Sequence, residues 1–308
     1  MNAGNMKAEI VSGEFQRQED TFRHWVRRDG SGDFPAAAGR YHLYVSLACP
    51  WAHRTLIVRR LKGLAGVVGM SVVDPVRDER GWAFREGPGH GPDPVRGFHF
   101  LSEVYLATDP GYSARVTVPV LWDCQQGRIV SNDENDIMRM FNSEFAGNPL
   151  ELFPPELETE IEELNGWIYP TINDGVYRAG FATSQVVYER AVRRLFDSLD
   201  RLEALLAGRR YLTGSRITAA DWKLFPTLIR FDAVYHGHFK CNLRRLVDYP
   251  NLWGYLRDLY QQEGIAETVN FGHIKRHYYV THTDINPTQI VPLGPVLDLL
   301  APHGRDRL

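Results

Sequence analysis

The sequence predicts an α/β domain followed by an all-α domain, on three observations. Strand-like and helix-like segments alternate between Tyr41 and Phe145, whereas past the Pro- and Gly-bearing stretch "AGNPLELFPPE" (146–156) only helical spacing recurs. The apolar run "YHLYVSL" (41–47) alternates every second residue and leads at once into "PWAHRTLIVRRLKGL" (50–64), as a strand feeding a helix does. At 308 residues the chain is long enough for two cores. The expected division is an N-terminal extension over 1–40, an α/β domain over 41–147, and an all-helical domain with a C-terminal tail over 148–308.

Each element has a local reason. In the first strand Tyr41, Leu43, Val45 and Leu47 alternate with His42, Tyr44 and Ser46. The helix after it carries Leu56, Ile57, Leu61 and Leu64 at near-helical spacing, with Gly63 and Gly66 near its end. "VVGMSVV" (67–73) reads as a second strand, and residues 85–111 as a long Gly- and Pro-rich insertion of the size that closes over sites. "RVTVPVLWD" (115–123) and "GRIV" (127–130) are two strands split by the turn "CQQG", and "SNDENDIMRMFNSEF" (131–145) opens with capping residues and continues as a helix. The order β-α-β…β-β-α is a small α/β layer with a mixed sheet. In the second part Val192, Leu195, Phe196, Leu199, Leu202 and Leu206 line one helix face, which Gly208 ends. Thr218 and Asp221 have capping-box spacing, so Asp221 reads as a cap and not as a catalytic carboxylate.

Composition excludes several classes. Hydrophobic residues are 44%, charged residues 24% and the net charge is −3, which offers no attraction to nucleic acid or to an anionic membrane. The polar start "MNAGNMKAEIVSGEFQRQED" lacks a signal-peptide core, and no apolar run approaches the ~18 residues of a spanning helix. Three widely spaced cysteines, at 49, 124 and 241, make no disulfide framework, so the expectation is a cytoplasmic protein with free thiols.

Cys49 stands where a strand ends and a helix begins. A thiolate there faces unpaired backbone N–H groups and the positive end of the helix dipole, a setting that draws a thiol pKa below its usual ~8.5. Pro50 suits the first helical position, and His53 and Arg54 bring donors or positive charge one turn on. A Cys-x-x-Cys pair would resolve its own mixed disulfide, but the second cysteine is replaced by Ala52. A lone activated thiolate therefore fits chemistry in which an external thiol clears the mixed disulfide. Cys124 and Cys241 lack such a setting.

"ACPWAHR" (48–54), "GWAF" (81–84), "RVTVPVLWD", "IVSN" (129–132), "NDGVYRAGFA" (173–182), "RFDAVYHGHFKCN" (230–242) and "HIKRHYY" (273–279) together resemble the Xi-class glutathione transferases, the glutathionyl-hydroquinone reductases. The resemblance spans roughly residues 20–295, in family order. It implies a thioredoxin-like N-terminal domain, an all-α C-terminal domain and a homodimer assembled mainly through the helical part. The implied reaction is reductive deglutathionylation of a hydroquinone, with glutathione as cosubstrate and no bound cofactor or metal. The implied roles are Cys49 as nucleophile; Trp82, Arg115, Val118, Asp133 and Glu134 at the thiol; and Tyr177, Tyr235 and Tyr278 around the hydroquinone, with Tyr177 and Tyr278 aiding catalysis. Val118-Pro119 matches the cis-proline turn of thioredoxin-like folds, and Tyr279 is the alternative to Tyr278.

The likeness breaks at the helix opened by "SN", where relatives carry Glu-Ser and this chain carries Asp133 and Glu134. Glu134 puts an anion where the γ-glutamyl carboxylate docks, unless it turns outward to favour the helix N-terminus. Mycothiol, which has no such carboxylate, is the alternative thiol. A glutaredoxin-like or dehydroascorbate-type thiol reductase is the nearest enzymatic alternative, and an interaction protein on a transferase fold the non-enzymatic one. His236, His238 and Cys241 are too few in that arrangement for a zinc site.

Overall fold

The computed structural model describes residues 10–308, which form two compact units. The first holds Gln18–Leu150 and Gly272–Thr281; the second holds residues 10–17, Glu151–Phe271 and His282–Leu308. A small antiparallel hairpin of β1 (Ile10–Val11) and β2 (Glu14–Phe15) belongs to the second unit.

The first unit is built from β3 (Tyr41–Val45), α1 (Pro50–Leu61), β4 (Val68–Val72), α2 (Leu101–Thr108), β5 (Val120–Asp123), β6 (Arg128–Ser131) and α3 (Glu134–Ser143). The sheet runs β4-β3-β5-β6. It is mixed, because β3 pairs parallel with β4 and antiparallel with β5, which pairs antiparallel with β6. The parallel pair needs a crossover, and α1 is that crossover. Gly127, at φ +66, lets the β5–β6 turn close.

The strand expected over 115–123 begins only at Val120, after the cis Val118-Pro119 bond, and three further points refine the sequence reading. All five residues of β3 are buried, because a central strand of a sheet covered on both sides hides both faces. The insertion at 85–111 is not all loop. Its last part is α2, whose Leu101, Val104 and Tyr105 are buried at helical spacing; the upstream Gly and Pro residues masked the signal, and Phe100 supplies no side-chain cap. The loop before α2 is itself organised by Asp93, which accepts the Tyr44 hydroxyl at 3.0 Å and the N–H groups of Val95, Arg96 and Phe98. Residues 18–36 are more than a cover on the core. His24 N–H donates to the Val130 carbonyl and Asn132 N–H to that of Phe22, so this segment extends the sheet edge beside β6, with Val26 and Phe34 buried. Residues 1–9 of the expected extension lie outside the described residues.

The second unit contains α4 (Glu158–Ile168), α5 (Gly175–Gly180), α6 (Gln185–Leu206), α7 (Ala219–Arg230) and α8 (Pro250–Tyr260). The expected apolar face of α6 is buried. Thr218 and Asp221 form the capping box of α7, and Asp221 does more than cap. Its carboxylate accepts the N–H groups of Thr218 (2.8 Å) and Leu212 (2.9 Å) and the hydroxyl of Tyr255 (2.8 Å). The last helix, α9 (Phe271–Thr281), carries Gly272–Thr281 into the first unit, although it follows the helical stretch in sequence.

Candidate active site

Cys49 is the N-cap of α1, with extended backbone (φ −76, ψ 123) and Pro50 as the first helical residue. Its Sγ lies 3.5 Å from the Ala52 N–H, which it accepts, and 3.5 Å from the Val118 carbonyl, to which the thiol donates. The helix start therefore offers the sulfur a backbone donor, and the carbonyl opposite fixes its direction. Val118-Pro119 is cis, as the sequence suggested. The residue before it is tied on both sides: the Tyr105 hydroxyl donates to the Thr117 carbonyl (2.9 Å) and the Asn132 amide to Thr117 Oγ1 (3.3 Å). Arg115 is held through its backbone by Gln18, whose side chain accepts its N–H (2.9 Å) and donates to its carbonyl (3.3 Å).

Asp133 is the N-cap of α3, with Oδ1 accepting the Asp136 N–H at 2.8 Å. Burial pushes its carboxyl pKa up, and the charge of Glu134 adds to the shift. Arg23, which grips Asp136 through two 2.8 Å bonds, reaches Asp133 at 3.5 Å. Glu134 neither faces outward nor stands as an uncompensated anion. Its carboxylate accepts Arg54 Nη1 at 2.7 Å, with the two side chains 13% and 3% exposed. Arg54, expected as positive charge near the thiol, is thus committed to α3.

Trp82 and Tyr278 also lie in the first unit, both buried. The Trp82 ring stacks on His277 (centroids 5.0 Å apart, planes at 23°), with the Arg77 guanidinium 5.4 Å from its centre. Tyr278 meets the same imidazole edge-on at 5.2 Å. Tyr278 is the buried member of its pair, and Tyr279 is half-buried.

Tyr177 and Tyr235 belong to the second unit, where their rings are 6.0 Å apart. Phe239 stacks on Tyr235 at 5.6 Å and meets Tyr177 at 5.4 Å. Gly180 permits this, because a Cβ there would lie 2.2 Å from the Phe239 ring. Arg17 sits 5.1 Å from the Tyr177 ring centre and donates to Asp174 at 3.1 Å. Burial pushes the pKa of the Cys124 thiol up, and complete burial does the same to Cys241. Among the described residues no group of three or more His, Cys, Asp or Glu is placed to hold a metal. No helix among them is long and apolar enough to cross a membrane.

Two family models match the chain, the glutathione S-transferase N-terminal domain over residues 48–144 and the C-terminal domain over 185–258. Glutathionyl-hydroquinone reductase YqjG of Escherichia coli is 54% identical, over 96% of this chain and 93% of its own. Glutathionyl-hydroquinone reductase PcpF of Sphingobium chlorophenolicum is 48% identical, over 93% and 91%. The chain belongs to the Xi-class glutathione transferases, the glutathionyl-hydroquinone reductase family. The glutathione-bound structure of YqjG superposes on this Xi-class chain with a TM-score of 0.91, covering 96% of it and 98% of YqjG. The Xi-class transferase of Natrialba magadii does so with a TM-score of 0.92, at 51% identity, covering 94% and 89%.

For this Xi-class protein the sequence reading missed Gln18 and His277 as neighbours of candidate site residues, and the partner of Arg54. Gln18 and His277 act from segments far in sequence from what they hold, so no local pattern marks them. Arg54 was in view beside Cys49, but its partner on α3 is 80 residues away.

Proposed function

We propose that this protein reductively removes glutathione from glutathionyl-hydroquinones, with Cys49 as nucleophile. The carrying observation is a single cysteine at the N-cap of α1, beside a cis-proline turn, with alanine where a resolving cysteine would stand. The Cys49 thiolate attacks the glutathione sulfur and forms an S–S bond as the carbon–sulfur bond breaks. The electron pair of that bond passes to the ring carbon, which takes up a proton, and the hydroquinone leaves. A second glutathione attacks the mixed disulfide, releasing oxidised glutathione and the Cys49 thiolate. Atoms and electrons balance: two glutathione sulfurs are oxidised and one ring carbon is reduced.

Trp82 lines the bound thiol and Arg115 meets its anionic ends. Val118 offers backbone groups to its cysteinyl part. Asp133 receives the γ-glutamyl ammonium, and Glu134 offers its backbone N–H to the carboxylate while its side chain stays on Arg54. Tyr177, Tyr235 and Tyr278 bond the ring oxygens, and Tyr177 and Tyr278 supply the proton as neutral phenols. Glutathione is the thiol, since the charge of Glu134, the reason to consider mycothiol, is neutralised by Arg54. We further propose a cytoplasmic homodimer, which the free cysteines and the exposed Leu293 and Val296 of the C-terminal tail favour.

The test is intact mass after mixing with a glutathionyl-hydroquinone without free thiol, beside Cys49→Ala. One added glutathione on the wild type only, with hydroquinone released, supports the reading. No adduct refutes it for glutathione, and a mycothiol conjugate in a parallel arm reports the other thiol.

A further inference from the structure

Trp82 sits in a loop, residues 73–90, that has only isolated bridges of its own. Helix α9 meets that loop at both ends. His277 Nδ1 is 2.7 Å from the Pro75 carbonyl, and His273 Nε2, one turn earlier on the same helix face, is 2.7 Å from the Pro88 carbonyl. A carbonyl can only accept, so each of these nitrogens carries a proton and the orientation of each ring is set. Thr281, one turn further, accepts the Arg77 N–H at 3.3 Å. Between the two anchors the face of His277 lies against Trp82, and its edge meets Tyr278.

We infer that His277 is a positioning residue that holds the Trp82 loop and the Tyr278 helix as one piece, with His273 as the second anchor. The inference rests on the proposed roles of Trp82 at the thiol and Tyr278 at the hydroquinone. Its physical content is that one imidazole makes two contacts of different kinds. Its N–H closes the loop end through the Pro75 carbonyl, and its ring sets the plane of the indole. A glutathione-side wall and a hydroquinone-side phenol are then kept in register by the same side chain, which touches neither ligand in the proposed reaction.

The two contacts separate by substitution. His277→Gln keeps an N–H for Pro75 but removes the ring; His277→Phe keeps a flat ring for Trp82 but removes the donor; His277→Ala removes both. Two readouts are taken on the full-length protein: the glutathione KM and kcat with a glutathionyl-hydroquinone, and the rate of tryptic cleavage after Arg80 and Arg85 in the loop. His277→Ala is expected to raise the glutathione KM about tenfold and to speed loop cleavage, with a smaller change in kcat. His277→Phe should recover KM but not protease resistance, and His277→Gln the reverse. A His277→Ala protein within twofold of wild type in both readouts overturns the inference. So does one whose KM and cleavage shift together with its unfolding midpoint, equally in all three variants. If wild-type protein does not turn over the conjugate, the proposed reaction fails, and the cleavage pattern alone decides whether His277 clamps the loop.

Discussion

Glu134→Ser places at the start of α3 the residue that the family resemblance led one to expect there and tests what Glu134 does. If its carboxylate repelled the incoming thiol, the substitution would relieve the repulsion and improve the use of glutathione. The ion pair with Arg54 predicts otherwise. At 2.7 Å, with Arg54 3% exposed and Glu134 13% exposed, the pair is nearly dry. Two such charges about 4 Å apart at an effective dielectric of 20 attract by about 4 kcal/mol. Removing one partner strands the other, which costs about 3–5 kcal/mol for a buried pair. The partial exposure of Glu134 puts the expected loss near the lower end, about 3 kcal/mol. Arg54→Met with Glu134→Ser removes both charges, and the loss should fall to about 1 kcal/mol, because an apolar side chain of similar length fills the guanidinium site. The assay is urea unfolding of wild type, both single variants and the double variant, with glutathione kcat/KM measured on each. A Glu134→Ser protein that keeps wild-type stability and gains tenfold or more in kcat/KM would refute the stabilising role of the ion pair and reinstate the repulsion.

Other outcomes follow from buried groups. Burial lowers the pKa of His42 to about 4 and that of His238 likewise. In the unfolded chain both titrate near 6.5, so the unfolded state takes up protons first as pH falls. Their contribution is complete above pH 6.5 and is lost between there and 4, by about 1.4 kcal/mol per pH unit for each group. Urea midpoints at pH 7.5 and 5.5 check this, and His42→Gln should flatten the slope. Asp221→Ala strands the Thr218 and Leu212 N–H groups and the Tyr255 hydroxyl, an expected loss of about 3 kcal/mol or more by urea unfolding. The kcat of the folded fraction should not change. Gly180→Ala drives a methyl into the Phe239 ring and should raise the hydroquinone-conjugate KM several-fold more than the glutathione KM, read from steady-state rates.

What the sequence determined by itself was everything that depends on neighbours within about one turn or one strand. The cap at Cys49, the Thr218–Asp221 box, the buried face of α6 and the strand–turn–strand at 120–131 each follow from residues close together in the chain, although the expected strand over 115–123 begins only at Val120. The missing second cysteine at Ala52 was legible for the same reason, and the family motifs named the remaining candidates. Tertiary structure alone decided what depends on distant partners. The burial of both faces of β3 follows from its central place in the sheet, which alternation within one strand does not report. The partner of Glu134 is an arginine 80 residues away, and a reading confined to α3 saw only an anion. Tyr278 joined the strand unit because α9 returns to it, with its histidines on the carbonyls of Pro75 and Pro88. A side chain's rotamer and helix position are local properties, but its electrostatic and hydrogen-bond partners are chosen by packing, and packing is settled only when the whole chain has folded.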